Sequence, residues 1–220
     1  TGIEKDPVIA TSFALLFLSK GLAPVLVNKL QFANDDNWNK HHDDARNLTE
    51  HITGLDKWPK LLTWQVLDTR KAATAGHDVG VQYLTQGSVQ LLTGKDAPDF
   101  SDAEVRMLRT YLDQGGFVFA VNCCNGAGFF DGMFKLVKEL YPDGEAELKP
   151  LRADHPVYRS EYLFRDPESV KLYGVDFGCR TVIIFTPEDL SCLWNKWMRQ
   201  DPPGRPAAMK LMVIRALKIG

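Results

Sequence analysis

Two adjacent cysteines, Cys123 and Cys124, are the residues of this 220-residue chain best suited to covalent chemistry. They follow a continuous apolar run, residues 117–121, and precede a glycine-containing segment, residues 125–128. We expect a buried strand, a tight turn and then a helix, so that one side chain is exposed and helix amides point toward it. A helix N-terminus lowers a thiol pKa, and nearby amides could hold an oxyanion. The pattern indicates a nucleophilic Cys123 or Cys124, although small, soft side chains also pack well in a crowded turn.

A cysteine nucleophile needs a base, and His155 is the only histidine beyond residue 77. It lies between predicted elements, so it could approach the same edge of the sheet. Asp154 and Glu161 are candidates to orient it by proximity alone. A histidine followed by proline is also a frequent turn signal, so a structural role for His155 is the alternative.

Polar residues at the ends of other predicted strands are candidates for ligand binding. Asp35, Asp36 and Trp38 could bind a cation or a sugar through carboxylates and an aromatic face, although Asp and Asn also favour turns. Loops on a rigid scaffold commonly carry function. The further candidates in such loops are Gln86, Asn122, Asn125, Asp189 and Cys192.

Motifs and composition argue against several classes of protein. No Walker loop, GxGxxG, HExxH or GxSxG motif occurs, and no CxxC pair suggests structural zinc, so we predict neither a cofactor nor a metal. Four cysteines are too few for a disulfide-built scaffold. A formal net charge of −2 predicts no global attraction to nucleic acid or to an anionic membrane. Residues 41–44, HHDD, are interpreted as solvated surface.

The order of predicted elements defines the fold class. Strands alternate with helices, which predicts an α/β fold with three flavodoxin-like layers: a mostly parallel sheet with helices on both faces. Ser101 and Glu104 form a capping box at the start of one helix. The predicted strands are residues 25–32, 61–67, 79–84, 117–121, 170–174 and 181–185. The predicted helices are residues 7–20, 40–53, 128–140, 205–217 and the one that Ser101 caps, with 88–100 as a loop or short helix. Ligands bind such sheets outside the carboxyl ends of the strands.

The helix predicted over residues 7–20 is apolar around nearly its whole circumference, which is typical of a helix buried on all sides. Its apolar stretch is shorter than the roughly 20 residues of a membrane span. No basic region precedes it, so a signal peptide is not expected. Because the chain begins at Thr1, we expect a piece of a longer protein. Residues 1–24 would be the helical stub of a preceding domain and residues 25–220 the α/β domain. Both a cytoplasmic and an exported, periplasmic location fit the sequence.

An ordered set of short motifs over roughly residues 28–217 resembles a bacterial family, domain of unknown function four-one-five-nine. The motifs are KLQF at 29–32, DDNW at 35–38, SDxE at 101–104, YLxxGG at 111–116, NCC at 122–124, FD at 130–131, YP at 141–142, DHP at 154–156 and DL at 189–190. That family is similar to the class I glutamine amidotransferase-like superfamily, which includes the ThuA-like and trehalose-utilisation proteins. The resemblance implies a flavodoxin-like core and no assigned activity.

The cysteine turn departs from the amidotransferase pattern. True amidotransferases carry Gly-x-Cys-x-Gly, with a distant His and Glu completing the triad. Here neither cysteine has glycine two residues before it, and no His-x-Glu follows His155. The departure argues against glutaminase activity. A second, short resemblance links residues 6–21 to the last helix of a terpenoid-cyclase-type α/α toroid, which would precede this domain.

Three functional hypotheses follow. The first is a non-catalytic ligand- or protein-binding module of a larger bacterial protein, whose crevice takes a small polar ligand or a sugar. The second is a cysteine-dependent hydrolase or amidotransferase that uses Cys123 or Cys124 with His155. The third is a structural interaction domain that docks through its N-terminal apolar helix, onto a protein partner or the preceding α/α domain. Neither a nucleic-acid partner nor a membrane span is expected.

Overall fold

A seven-stranded sheet lies at the centre of the computed structural model, which describes residues 6–21, 23–159 and 170–196. The strands are β1 (Val25–Gln31), β2 (Thr63–Asp68), β3 (Gly87–Gly94), β4 (Val118–Asn122), β5 (Leu148–Pro150), β6 (Tyr173–Phe177) and β7 (Arg180–Thr186). Their order across the sheet is β2-β1-β3-β4-β7-β6-β5. Strands β2, β1, β3, β4 and β7 are parallel, and β6 and β5 add an antiparallel extension. The carboxyl ends of the parallel strands therefore share one edge, called the carboxyl edge below.

Helices cover both faces of the sheet. They are α1 (Pro7–Gly21), α2 (Asp44–Thr53), α3 (Thr69–Thr74), α4 (His77–Thr85), α5 (Asp102–Asp113), α6 (Ala127–Leu140) and α7 (Leu190–Lys196). Helices α2 and α7 pack on one face, and α3 to α6 pack on the other. The predicted three-layer, flavodoxin-like α/β fold is confirmed.

The central strand β4 is buried on both faces, as its continuous apolar run predicts. Val118 and Ala120 face the core under α3 to α6, while Phe119 and Val121 face the core under α2 and α7. Apolar side chains on both sides exclude water from the strand, which fixes the register of the residues that follow it.

The capping box of α5 is also confirmed. The Ser101 amide donates to Glu104 Oε2 (2.9 Å), and the Glu104 amide donates to Ser101 Oγ (3.4 Å). The hydroxyl of Thr69 donates to Glu104 Oε1 at 2.5 Å, so the same carboxylate ties α5 to the start of α3.

Two predicted elements are wrong. Residues 79–84 lie in α4 instead of a strand, because their burial follows a helical period: Val81 and Leu84 face the core while Val79 and Tyr83 are exposed. The segment predicted as a loop or short helix over residues 88–100 contains most of β3, whose polar Gln90 is buried and hydrogen-bonded to Asn28, Leu84 and Tyr111.

The sequence does not predict α3, α7 or β5, and the other described elements differ from prediction mainly in their ends. Helix α2 begins at Asp44 instead of residue 40, and the later strands β6 and β7 form an antiparallel hairpin with Gly178 (φ +64°) in its turn. The helix predicted over residues 205–217 lies outside the described residues.

Helix α1 forms where proline at its first position and the Asp6 cap predict it. Its described apolar side chains are largely exposed: Val8 by 73%, Phe13 by 66% and Leu15 by 62%. Among the described residues, no helix has the length and hydropathy needed to cross a membrane.

Candidate functional site

The turn after β4 holds the two cysteines in a strained backbone. Cys124 (φ 56°) and Asn125 (φ 53°) both adopt the left-handed region, which residues other than glycine rarely occupy. Gly126 follows, and a Cβ there would lie 1.9 Å from the carbonyl oxygen of Lys95. The same carbonyl accepts a hydrogen bond from the Phe129 amide (3.0 Å), so the loop after β3 holds the turn against α6. Such strain costs free energy and is common at functional sites.

The two sulfur atoms have different environments. The Cys123 side chain is buried and that of Cys124 is exposed, with their Sγ atoms 2.9 Å apart. Burial raises the pKa of the Cys123 thiol, and the neighbouring Cys124 and Asp189 raise it further. The expectation that the helix N-terminus lowers the thiol pKa is therefore wrong for Cys123, which leaves Cys124 as the accessible thiol.

Asp189, between β7 and α7, organises the site. Its Oδ1 accepts from the Cys192 amide (2.9 Å) and the Ser191 hydroxyl (3.1 Å) in the first turn of α7. Its Oδ2 accepts from the Cys124 amide (2.8 Å) and from His41 Nε2 (3.2 Å). Burial alone would raise the pKa of Asp189, but these hydrogen bonds hold that pKa below its ordinary value. The group is therefore an anion that fixes the cysteine turn.

His41 supplies an imidazole in place of His155. Its Nε2 atom lies 3.2 Å from Asp189 Oδ2 and 4.0 Å from Cys124 Sγ. An ionised carboxylate only accepts hydrogen bonds, so Nε2 carries a proton when it faces Asp189. In this arrangement the ring donates toward the carboxylate and the sulfur, and it does not accept a proton from Cys124.

A buried ion pair positions the segment that carries His41. Lys29 of β1 and Asp44 of α2 are both buried, with Nζ 2.5 Å from Asp44 Oδ1. The same Nζ donates to the carbonyl of His41 (2.8 Å) and to Asn39 Oδ1 (2.8 Å). The interpretation of residues 41–44 as solvated surface is wrong for Asp44, which is fully buried, and for His41, whose side chain is 14% exposed.

These four side chains, His41, Cys123, Cys124 and Asp189, are called the thiol cluster below. One donor atom from each lies within 4.8 Å of the donor atoms of the other three. The cluster gathers an imidazole, two thiols and a carboxylate from the ends of β4 and β7 and from the segment after β1.

The structure does not bring His155 or Gln86 to this cluster. The His155 ring contacts Thr181 Oγ1 (2.9 Å) at the start of β7, whereas the cluster lies near the other end of that strand. Gln86 precedes β3 and contacts Gln65 (3.2 Å). Both residues are at the edge opposite the carboxyl edge, so the pairing of His155 with a cysteine is not formed.

The remaining predicted residues lie at the carboxyl edge with different environments. Asp35 and Asp36 are exposed, and Asp36 pairs with Lys40 at 2.6 Å. Trp38 is partly buried, with its ring centroid 6.0 Å from Lys29 Nζ. Asn122 is buried beside the cysteines, and Asn125 is exposed in the strained turn. Cys192 contributes its amide to Asp189, as described above.

Sequence reasoning missed His41, Lys29 and Asp44. A lysine in the middle of an apolar strand was the available signal, because a buried cation needs a buried anion. Asp35, Asp36, Asp43 and Asp44 all follow that strand as candidate anions, and the structure selects Asp44.

The fold and the site together define a three-layer α/β domain with a thiol cluster at the carboxyl edge of its sheet. A family model described as "Domain of unknown function (DUF4159)" matches residues 41–215. The chain therefore belongs to this family, as its motifs predict. No curated protein matches the chain.

Proposed function

We propose that this domain is a ligand-binding module whose recognition centre is the thiol cluster, and that it does not hydrolyse amides. The supporting observation is the position of His41 Nε2, which faces both Asp189 Oδ2 and Cys124 Sγ. A hydrolase would use one ring nitrogen for the thiol and the other for the acid. Here one nitrogen serves both, which suits a group that holds a ligand better than a proton carrier.

The rest of the site supports binding in the same way. Both oxygens of Asp189 are used: Oδ2 holds the cysteine turn and the imidazole, and Oδ1 is held by the first turn of α7. Lys29 fixes the backbone of His41 because its Nζ donates to the His41 carbonyl oxygen. A set of donor atoms held this firmly before the ligand arrives loses little conformational entropy on binding.

The proposal is tested with phenylarsine oxide, a probe that needs two adjacent thiols, and with glutamine and an activated ester as substrates. The reduced protein should bind one equivalent of the arsenical and turn over neither substrate. Cys124→Ser and Cys123→Ser should lose the arsenical, whereas Cys179→Ser, which alters an exposed cysteine in the hairpin between β6 and β7, should keep it. Turnover that disappears in Cys124→Ser would refute the proposal.

A second candidate is a cysteine-dependent hydrolase or acyl transferase with Cys124 as nucleophile, His41 as base and Asp189 as the group that orients it. The left-handed backbone of Cys124, between a buried strand and a helix, favours it. It requires rotation of the His41 ring so that one nitrogen accepts the thiol proton.

Alkylation kinetics separate the two candidates. The hydrolase requires a Cys124 thiol that reacts with iodoacetamide well below about pH 8.5, the ordinary cysteine pKa, and slows in His41→Gln. Cys179 provides the internal reference for an exposed thiol. Equal rates at Cys124 and Cys179, unchanged by His41→Gln, count against the nucleophile.

A further inference from the structure

The donor atoms of the thiol cluster converge on one point from three separate segments of the chain. His41 comes from the segment after β1, the two cysteines from the turn after β4, and Asp189 from the segment before α7. Sequence spacing alone could not reveal this group, since about 80 and 65 residues separate its parts.

The separations within the cluster, none above 4.8 Å, are close to those around a small tetrahedral ion. Zn²⁺ bonds of about 2.0–2.3 Å place neighbouring ligand atoms roughly 3.2–3.8 Å apart. The His41 Nε2 to Asp189 Oδ2 separation is 3.2 Å and the Cys124 Sγ to His41 Nε2 separation is 4.0 Å. The two sulfurs, 2.9 Å apart, would have to separate by about 0.9 Å to reach the roughly 3.8 Å of two thiolates on one ion.

The chemistry of the four donors selects the class of ion. Two sulfurs and an imidazole nitrogen suit Zn²⁺ and other soft or borderline metals, whereas Mg²⁺ and Ca²⁺ take oxygen ligands. The protein supplies all four ligands of the ion, as structural zinc sites do. A hydrolytic zinc ion instead keeps one coordination position open for water.

The surroundings hold the donors as metal sites require. The second oxygen of Asp189 is fixed by Ser191 and the Cys192 amide, and the backbone of His41 is fixed by Lys29. Such outer contacts orient ligands and add to affinity. Cys124 and Asn125 are exposed, so an ion can reach the cluster from solvent.

We propose that His41, Cys123, Cys124 and Asp189 bind one soft divalent metal ion of the Zn²⁺ class. This rests on the proposed function, because it names the ligand of the same binding centre. The ion takes the place of the proton on His41 Nε2, so the ring then carries its proton at Nδ1, and the two thiols release their protons to solvent as they bind as thiolates. The ion also engages both sulfurs, so metal and arsenical compete for the cysteines, but only the metal needs the imidazole and the carboxylate.

The experiment titrates the reduced full chain with Zn²⁺ alone against a chromogenic chelator, and with Co²⁺ to record thiolate-to-cobalt charge-transfer absorption. We expect one ion per chain with that absorption. Affinity should fall at least about 100-fold in Cys124→Ser, His41→Gln and Asp189→Asn, since even outer-shell changes cost 10–100-fold. Cys179→Ser and His155→Gln, at positions away from the cluster, should bind like the unchanged chain. Thermal unfolding of each variant without metal shows whether it folds.

Each result has a separate meaning. A chain that binds phenylarsine oxide but neither metal refutes the metal site and leaves the binding module standing. Metal affinity that Asp189→Asn and His41→Gln leave unchanged also refutes the four-ligand site, since the sulfurs alone would then suffice. If Asp189→Asn does not fold, Cys124→Ser decides, because the Cys124 side chain is exposed. His41→Gln gives a second reading where its thermal unfolding shows that it folds. Loss of metal binding in Cys179→Ser would show adventitious binding only.

Discussion

At the scale of single residues, Lys29 and Asp44 form a buried ion pair next to the site. Burial lowers the pKa of Lys29, and it raises the pKa of Asp44, while each partner opposes the shift of the other. The pair persists because Nζ donates to three oxygens at once. A buried charge that loses its partner is strongly destabilising, whereas removal of both charges is often tolerated.

Lys29→Met should therefore lower the free energy of unfolding by about 3–5 kcal/mol, since Asp44 is left buried without its cation. The double variant Lys29→Met/Asp44→Leu should recover most of that loss. Lys71→Met, which removes an exposed partner of Asp68, is the matched control and should cost about 0–1 kcal/mol. Urea denaturation measures all three. A cost for Lys29→Met no larger than that for Lys71→Met would contradict this account of the pair.

His155 has a structural role that predicts a pH dependence. Thr181 donates to Asp176 Oδ1 (2.5 Å), so His155 Nε2 donates to Thr181, and Nδ1 accepts from the Val157 amide (3.1 Å). Only the neutral ring makes both contacts. Burial lowers the pKa of His155, although Asp176 and Asp154 act in the opposite direction.

Because the folded pKa lies below the unfolded value of about 6.5, the unfolded chain takes up the proton first as the pH falls. The contribution of His155 is complete above that unfolded value and is lost as the pH falls toward the folded pKa. We expect His155→Gln to flatten the decline in stability between about pH 7 and pH 5, by at most about 1.4 kcal/mol per pH unit. Urea midpoints at several pH values measure it. Parallel pH profiles of the two proteins would exclude this role.

At the scale of elements, the turn between β4 and α6 depends on one glycine. Gly126→Ala would place a methyl group 1.9 Å from the Lys95 carbonyl oxygen, where only backbone movement can make room. Overpacking of this kind costs about 1–3 kcal/mol or more. The neighbouring Gly128→Ala meets nothing closer than 3.4 Å, so it should be neutral or stabilise the helix by up to about 1 kcal/mol.

Thermal unfolding and arsenical binding of the two glycine variants test this dependence. We expect Gly126→Ala to be less stable and to bind phenylarsine oxide more weakly, because the cysteines move with the turn. Gly128→Ala should match the unchanged chain in both measurements. Equal behaviour of the two variants would mean that the Lys95 contact does not hold the turn.

The elements also show what the sequence can predict. The β4 run, the capping box of α5 and the glycine turn carry local signals, and all three form as expected. The sequence predicts a strand where α4 lies, because Val79, Val81 and Tyr83 alternate with other residues as they would in a strand. The helical period of α4 becomes visible only when its buried face packs against α3 and α5. Strand β3 was missed because Gln90 and Thr93 are polar, and their partners come from Asn28, Tyr111 and Trp38. Long-range partners of this kind leave no mark in local periodicity.

At the scale of the whole molecule, the strand order decides which residues can meet. The sequence favours His155 as the partner of the cysteines and indicates solvated surface for the segment that carries His41. The parallel pairing of β4 with β7 separates His155 from the cysteine turn, and the Lys29–Asp44 pair brings His41 toward it. The half of the site formed by the cysteines and Asp189 could be predicted, because strand ends are visible in sequence. The position of His41, which forms the other half, depends on the buried Lys29–Asp44 ion pair.

Helix α1 offers a test of the proposed boundary near residue 24. Its exposed Val8, Phe13 and Leu15 suit contact with another protein surface, since such apolar side chains on one helix commonly mark interfaces. The carbonyl of Pro24 accepts from the Thr63 amide (3.0 Å), so the sheet begins directly after the helix. A deletion of residues 1–21 that retains Pro24 should therefore leave the sheet intact.

We expect this deletion to change the free energy of unfolding by less than about 0.5 kcal/mol, the range of ordinary surface changes. It should also abolish any concentration-dependent self-association seen by sedimentation. Phe13→Ser in the full chain should weaken association in the same way, whereas Thr11→Ala, at an exposed polar position of the same helix, should not. A deletion that unfolds the domain would place the boundary before α1, because the helix would then belong to the α/β core. Association that survives both the deletion and Phe13→Ser would instead locate the interface elsewhere on the domain.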